Sequence, residues 1–197
     1  MKILLASTNK GKIKEFTEIL SGPGITIVTP GDMGLSLEVE ENGATFAENA
    51  LLKARQWSRA AEMPVLADDS GLCVEALGGR PGVLTARFAG PGAGDKDNYR
   101  LLLSCLEDTE DRRAKFVCAV ALAFADGRVV QAEGEYEGVI CHEPAGDQGF
   151  GYDPVFFDPT MGKTLAQMSP EEKNARSHRR KAIEALKKKL AGLGYLD

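Results

Sequence analysis

No run in this chain is long or apolar enough for a membrane span, which takes roughly 18 to 20 consecutive apolar residues. The N-terminal stretch Met1 to Ala6 meets polar Ser7 and Asn9 too early to be a signal peptide, whose hydrophobic region needs about 7 to 15 residues. A cytoplasmic chain is therefore expected. Positive charge is also short: 24 Lys and Arg stand against 29 Asp and Glu, for a net charge of -5. Partners such as nucleic acid or an anionic membrane usually need a basic face. Neither is expected here, so any anionic substrate must be met by lysines and arginines placed locally. Cysteine is sparse, and Cys73, Cys105, Cys118 and Cys141 form no C-x-x-C pair. That argues against a zinc knuckle or a thioredoxin-like redox site and for reduced thiols, three of them in apolar runs where cysteine packs as a small core side chain. A Walker A loop is missing too, which argues against a conventional P-loop enzyme. There is no internal repeat or low-complexity tract.

What is present suffices for one substantial core, since 43% of the 197 residues are hydrophobic. We read residues 1–197 as a single domain. Lys2 to Ser7 has the pattern of a buried strand, and Asn9 is placed to cap a helix whose stripe is Ile13, Phe16, Ile19 and Leu20, ended by Gly22-Pro23-Gly24. Ile25 to Val28 is a second strand, and Thr29 to Gly43 reads as a loop. Thr45 and Glu48 form a capping-box pattern for a helix burying Phe46, Ala50, Ala54, Trp57 and Ala61. Val65 to Ala67 is predicted as a strand ending in the turn-like Asp68-Asp69-Ser70-Gly71. Asp95 to Leu106 is a helix; Ala114 to Ala125 and Val129 to Ile140 are strands joined by the hairpin signal Asp126-Gly127. Alternating Glu133, Glu135 and Glu137 leave one face of the second strand wet. Ser169, Pro170 and Glu172 mark the start of a helical C-terminus. The pattern predicts an α/β fold with a mixed sheet.

Four segments carry residues suited to chemistry. Ser7-Thr8-Asn9-Lys10-Gly11-Lys12, with Glu15 beyond, puts a helix N-terminus and two lysines where phosphate oxygens would be favoured; its plainer explanation is an ordinary capped helix. Asp68-Asp69, with Ser70 after them and Glu40-Glu41 upstream, pairs carboxylates whose repulsion a cation or shared proton would relieve. Magnesium suits them, and a carboxylate can deprotonate an attacking water. A solvated turn is the alternative. Phe150-Gly151-Tyr152-Asp153 offers an aromatic ring to a nucleobase, or else forms a bulged strand. Finally, Lys173 and His178 would point about 140° apart on one unbroken helix, at ~100° per residue. A break at Ser177 would place His178 and Arg179 in a new first turn.

Taken together, these segments resemble the inosine triphosphate pyrophosphatase family, also described as XTP/dITP diphosphatases. The motifs are S-x-N-x-x-K-x-x-E at 7–15, T-F-x-E-N-A at 45–50, A-D-D-S-G-L at 67–72, L-G-G-x-P-G at 77–82, G-F-G-Y-D-P at 149–154 and E-K-x-x-x-S-H-R at 172–179. Each is weak singly, and their order across almost the whole chain is specific. The resemblance implies a long mixed sheet with flanking helices, two lobes around a substrate cleft, and a homodimer. It implies a magnesium-dependent cytoplasmic enzyme converting ITP, dITP and XTP to monophosphate and pyrophosphate. It makes Asp69 the catalytic base and a magnesium ligand, with Glu41 as second acid, although Glu40 adjoins it. Ser7, Thr8, Asn9, Lys10, Gly11, Lys12, Ser70 and Lys173 would face phosphate and sugar. Phe150, Gly151, Tyr152, Asp153, His178 and Arg179 would form the base pocket.

Three other readings compete. A nucleotide sensor would need no acid pair beside a metal. A phosphoacceptor receiver domain would carry its acids after the first strand, where this chain has Ser7-Thr8-Asn9. A Maf-type pyrophosphatase would differ in substrate.

Overall fold

The computed structural model describes residues 1–20 and 24–195. Its elements are β1 (Lys2–Leu5), α1 (Lys10–Leu20), β2 (Thr26–Val28), α2 (Pro30–Met33), α3 (Phe46–Ala61), β3 (Val65–Val74), α4 (Asp95–Cys105), β4 (Arg113–Ala123), β5 (Val129–Ile140), β6 (Phe156–Asp158), β7 (Lys163–Thr164), α5 (Pro170–Arg176) and α6 (His178–Gly192). The sheet has seven strands in the order β2-β1-β3-β4-β5-β6-β7. It is mixed: β1 runs parallel to β2 and β3, whereas β6 runs antiparallel to β5 and β7. No helix among the described residues is long and apolar enough to cross a membrane.

By their contacts the residues fall into two compact units, one of 1–69, 118–134 and 178–197, the other of 70–117 and 135–177. In the first unit β1 and the adjoining parts of β3 and β4 are buried on both faces, and alternation sorts their side chains. Ile3, Leu5, Leu66, Cys118, Val120 and Leu122 pack with Phe16 and Ile19 of α1 and Ile183 and Leu186 of α6. Leu4, Ala6, Val65, Ala67, Ala119, Ala121 and Ala123 pack with Ala50, Ala54 and Trp57 of α3. Small alanines on both partners let α3 lie close to the sheet. The second unit is built around Leu72, Val74, Tyr99, Leu102, Phe116, Tyr136, Phe156 and Leu165.

Most helix boundaries follow local chemistry. Thr45 and Glu48 make the reciprocal capping box of α3, and Ser169 and Glu172 make that of α5. Asn9 Oδ1 accepts the Lys12 N–H at 3.0 Å, capping α1 as expected. The Gly22-Pro23 part of its stop signal lies outside the described residues. Ser177 is extended, with φ -61° and ψ 153°, so α5 and α6 are separate helices.

Two sequence expectations are corrected. The segment 29–43 is not all loop, because Thr29 caps the one-turn helix α2 through Asp32, with Pro30 in its first turn and Gly34 at φ 63° ending it. Likewise, Asp68-Asp69-Ser70-Gly71 does not end a strand or form a turn. It lies inside β3, a strand of ten residues placed between β1 and β4. Sheet pairing there outweighs the local turn preference. The four cysteines are free, and only Cys118 is fully buried; Cys105 is exposed.

Candidate active site

Strand alternation decides what the paired acids can do. Leu66 packs with α1 and α6, whereas Val65 and Ala67 pack with α3. Asp68 therefore falls on the α1 and α6 side and Asp69 on the α3 side. Their contacts agree. Lys12 Nζ lies 2.8 Å from Asp68 Oδ2, and Asn49 Nδ2 donates to Asp69 Oδ2 at 2.9 Å. The pleat thus turns the adjacent carboxylates to opposite sides of the strand, each toward a partner of its own.

The two acids differ in basicity for reasons visible in their surroundings. Asp68 is 1% exposed. Burial opposes its charge most strongly, but the charges of Lys12, Lys53 and Arg179, with the Lys12 hydrogen bond, outweigh it and hold the carboxyl at about 2. A carboxylate held so firmly ionised is a poor proton acceptor. Asp69 is 8% exposed. There burial dominates, Glu41 adds to it, and the Asn49 hydrogen bond and the charges of Lys53 and Lys12 offset only part, so its pKa is raised. Greater proton affinity is what a general base requires.

Asn49 is itself fixed. Its Oδ1 accepts the Gly43 N–H at 2.8 Å, which leaves Nδ2 to face Asp69. A Cβ on Gly43 would stand 2.7 Å from Asn49 Oδ1 and 2.8 Å from Glu48 Cβ, so this approach requires glycine. Gly43 lies just beyond the adjacent acids, and Glu41 is the one whose charge bears on Asp69. Its Oε2 is 3.0 Å from Lys53 Nζ.

The start of α1 supplies a second group. Ser7, Thr8 and Asn9 connect β1 to α1, and Ser7 Oγ accepts the Asn9 N–H at 3.2 Å. Lys10 is exposed, and Gly11 and Lys12 are half-buried. At the start of α6, His178 and Arg179 are buried. Arg179 Nη1 lies 2.7 Å from Glu15 Oε2 of α1, and its guanidinium carbon is 6.0 Å from the Phe16 ring centroid. This packing depends on Gly134 of β5, where a Cβ would lie 2.3 Å from both His178 O and Ala182 N.

The second unit begins in sequence at Ser70 and holds the Phe150 loop. Asp153 Oδ2 accepts the Phe150 N–H at 3.0 Å and lies 2.5 Å from Lys173 Nζ. That ammonium also stands 4.8 Å from the Phe150 ring centroid. Lys173 thus joins Phe150 and Asp153, whereas the resemblance groups it with phosphate and sugar contacts. Tyr152 is buried, and its hydroxyl donates to Thr85 O at 2.8 Å.

Sequence reasoning assigned no role to Asn49, Gly43, Lys53 or Asp95. Asn49 sits inside the quoted T-F-x-E-N-A motif, and Lys53 follows it by one helical turn, on the same face. Nothing local announces Asp95, whose partner is 56 positions away.

Comparison with known proteins agrees with the fold. Residues 3–189 match the model of the Ham1 family. The dITP/XTP pyrophosphatase of Thioalkalivibrio sulfidiphilus is 48% identical over 98% of this chain and 100% of its own length. That of Aquifex aeolicus is 49% identical over 94% and 95%. The solved structure of the Staphylococcus aureus Ham1 protein superposes with a TM-score of 0.88 at 42% identity, covering 98% of this chain and 100% of that one.

Proposed function

This chain belongs to the Ham1 family, and from that premise we propose that it hydrolyses non-canonical purine nucleoside triphosphates, ITP, dITP and XTP, to monophosphate and pyrophosphate. Such an activity cleanses the nucleotide pool. The names of its relatives support the reaction. The observation that carries the mechanism is the buried Asp69 carboxylate, raised in basicity and held by Asn49.

In this reading Asp69 takes a proton from water as the water oxygen bonds to the α-phosphorus. The bond from that phosphorus to the bridging oxygen breaks, and pyrophosphate leaves. Lys10, Lys12 and the positive end of α1 hold the outer phosphates. Asp68 holds Lys12 in place. Ser7, Thr8, Asn9, Gly11 and Ser70 line the phosphate and sugar contacts. Phe150 stacks on the purine. Gly151, Tyr152 and Asp153 shape that loop, and His178 and Arg179 read the 6-oxo edge that distinguishes these purines from adenine.

Dependence on magnesium belongs to the same proposal. Glu41 raises the proton affinity of Asp69, so a divalent cation held by the two would relieve their repulsion. Among the described residues no three His, Cys, Asp or Glu gather as a ligand set, and magnesium commonly takes one or two carboxylates with water and substrate phosphates. When bound, it would neutralise charge on the phosphate oxygens. A cytoplasmic homodimer is also proposed, resting on the family resemblance; sedimentation and cell fractionation test it.

Pyrophosphate release from ITP, XTP, ATP, GTP and dUTP, with and without magnesium, tests the function. Release is expected with ITP and XTP far above the others, and only with the metal. Equal rates for all five, or full activity in chelator, would contradict the proposal.

A further inference from the structure

The Phe150 ring is the proposed stacking surface, and its direction depends on the backbone that carries it. Phe150 N–H and Gly151 N–H belong to the two peptide planes on either side of the Phe150 Cα. Fixing both planes fixes φ and ψ of that residue, and with them the exit direction of the ring. The first is held from within the loop, by Asp153 Oδ2 at 3.0 Å. The second is held from outside it: Gly151 N–H donates to Asp95 Oδ2 at 2.7 Å.

We infer that Asp95 is a positioning residue for the Phe150 ring, clamping the Gly151 peptide from the first turn of α4. The inference rests on the stacking role proposed for Phe150. Several features suit Asp95 to this task. A carboxylate accepting an N–H makes a short, charge-assisted bond. The first turn of a helix also favours a negatively charged side chain. The same turn is anchored on its other sides. Asn98 accepts the Ala89 N–H at 2.8 Å and donates to Ala86 O at 3.2 Å, and Asp97 caps the helix itself by accepting the Gly94 N–H at 3.2 Å. Tyr152, next to Gly151, bonds to Thr85 O, and the Asp95 charge contributes to its raised phenol after burial. Asp95 thus presents its oxygen from a braced platform to one peptide of the loop.

Steady-state kinetics with ITP and magnesium on Asp95→Ala, Asp95→Asn, Asp97→Ala and Phe150→Ala test this, together with amide exchange at Gly151. Losing the clamp should raise KM about tenfold, the scale of one charge-assisted hydrogen bond, with kcat within about threefold. Asp95→Asn keeps an acceptor oxygen and should recover most of the loss. Gly151 should exchange faster in Asp95→Ala alone. Asp97→Ala, which removes the helix's own cap, should lower Tm and leave KM unchanged. The inference is overturned if Phe150→Ala raises KM while Asp95→Ala does not, or if Asp97→Ala raises KM as much as Asp95→Ala. If Phe150→Ala itself leaves KM unchanged, the stacking role fails and the inference falls with it.

Discussion

Asn49 donates its side-chain N–H to Asp69 Oδ2 at 2.9 Å while its own oxygen is held by the Gly43 N–H. In the proposed mechanism, the carboxylate that accepts a proton therefore has one oxygen oriented by a neutral donor that cannot take the proton from it. This hydrogen bond also lowers the proton affinity of Asp69, against the larger effect of burial.

Replacing Asn49 by Ala should loosen the base and remove that lowering. Loss of such an orienting partner costs about 10- to 100-fold in activity. Because the bond favours the ionised form, the acid limb of kcat/KM should move to higher pH. Gly43→Ala should act in the same direction by displacing Asn49. An unmoved limb in both variants would separate Asn49 from the reacting carboxylate.

Asp69→Asn is expected to lower turnover at least ~100-fold and yet to stabilise the metal-free fold at pH 7. The sign follows from linkage. The raised pKa means that the folded state binds the proton more tightly, so stability falls as pH rises from 3.8 through the folded pKa. The variant should therefore exceed the parent at pH 7, and the gap should close in acid. Urea unfolding in chelator at several pH values measures this, and a variant less stable at pH 7 would refute it.

The ion pair of Lys12 and Asp68 has the opposite linkage. Asp68 is held at about 2, so its contribution is complete above the ordinary carboxyl range and is lost as pH falls through about 2. Lys12→Met removes the hydrogen-bonded cation beside the buried Asp68 charge, at a cost on the order of 3 kcal/mol. Adding Asp68→Asn should restore much of that stability without restoring activity. Denaturation of the single and double variants shows whether the recovery occurs.

How far the sequence alone reaches can be seen residue by residue. The caps at Thr45 and Ser169 were readable because a capping box is a contact between near neighbours. The break at Ser177 was readable because helical geometry sets Lys173 and His178 on divergent faces. Asp68 and Asp69 are expected at the end of a strand, with a solvated turn as the alternative, and instead lie inside β3, because their strand conformation comes from neighbours in the sheet, which no local pattern records. Their opposite orientations follow at once when the strand is known. Gly43 and Asp95 act on partners distant in sequence or through a close approach, and the candidate site's bracing was hidden for that reason.

Gly134 lets β5 approach the first turn of α6, which carries His178 and Arg179. Gly134→Ala would drive a Cβ into helix backbone, so the helix start must shift, at about 1 to 3 kcal/mol of stability for such overpacking. The preference for ITP over ATP should narrow, as it should in Arg179→Ala. A preference unchanged in both would place base reading elsewhere.

The central claim is that Asp69 directs water to the α-phosphorus. Hydrolysis of ITP in heavy-oxygen water, with both products resolved by mass, tests it most directly. The heavy oxygen should appear in the monophosphate, with pyrophosphate unlabelled and no diphosphate formed even early. Label in pyrophosphate would mean attack at the β-phosphorus, and early orthophosphate with nucleoside diphosphate would mean attack at the γ-phosphorus; either result would contradict the proposed mechanism.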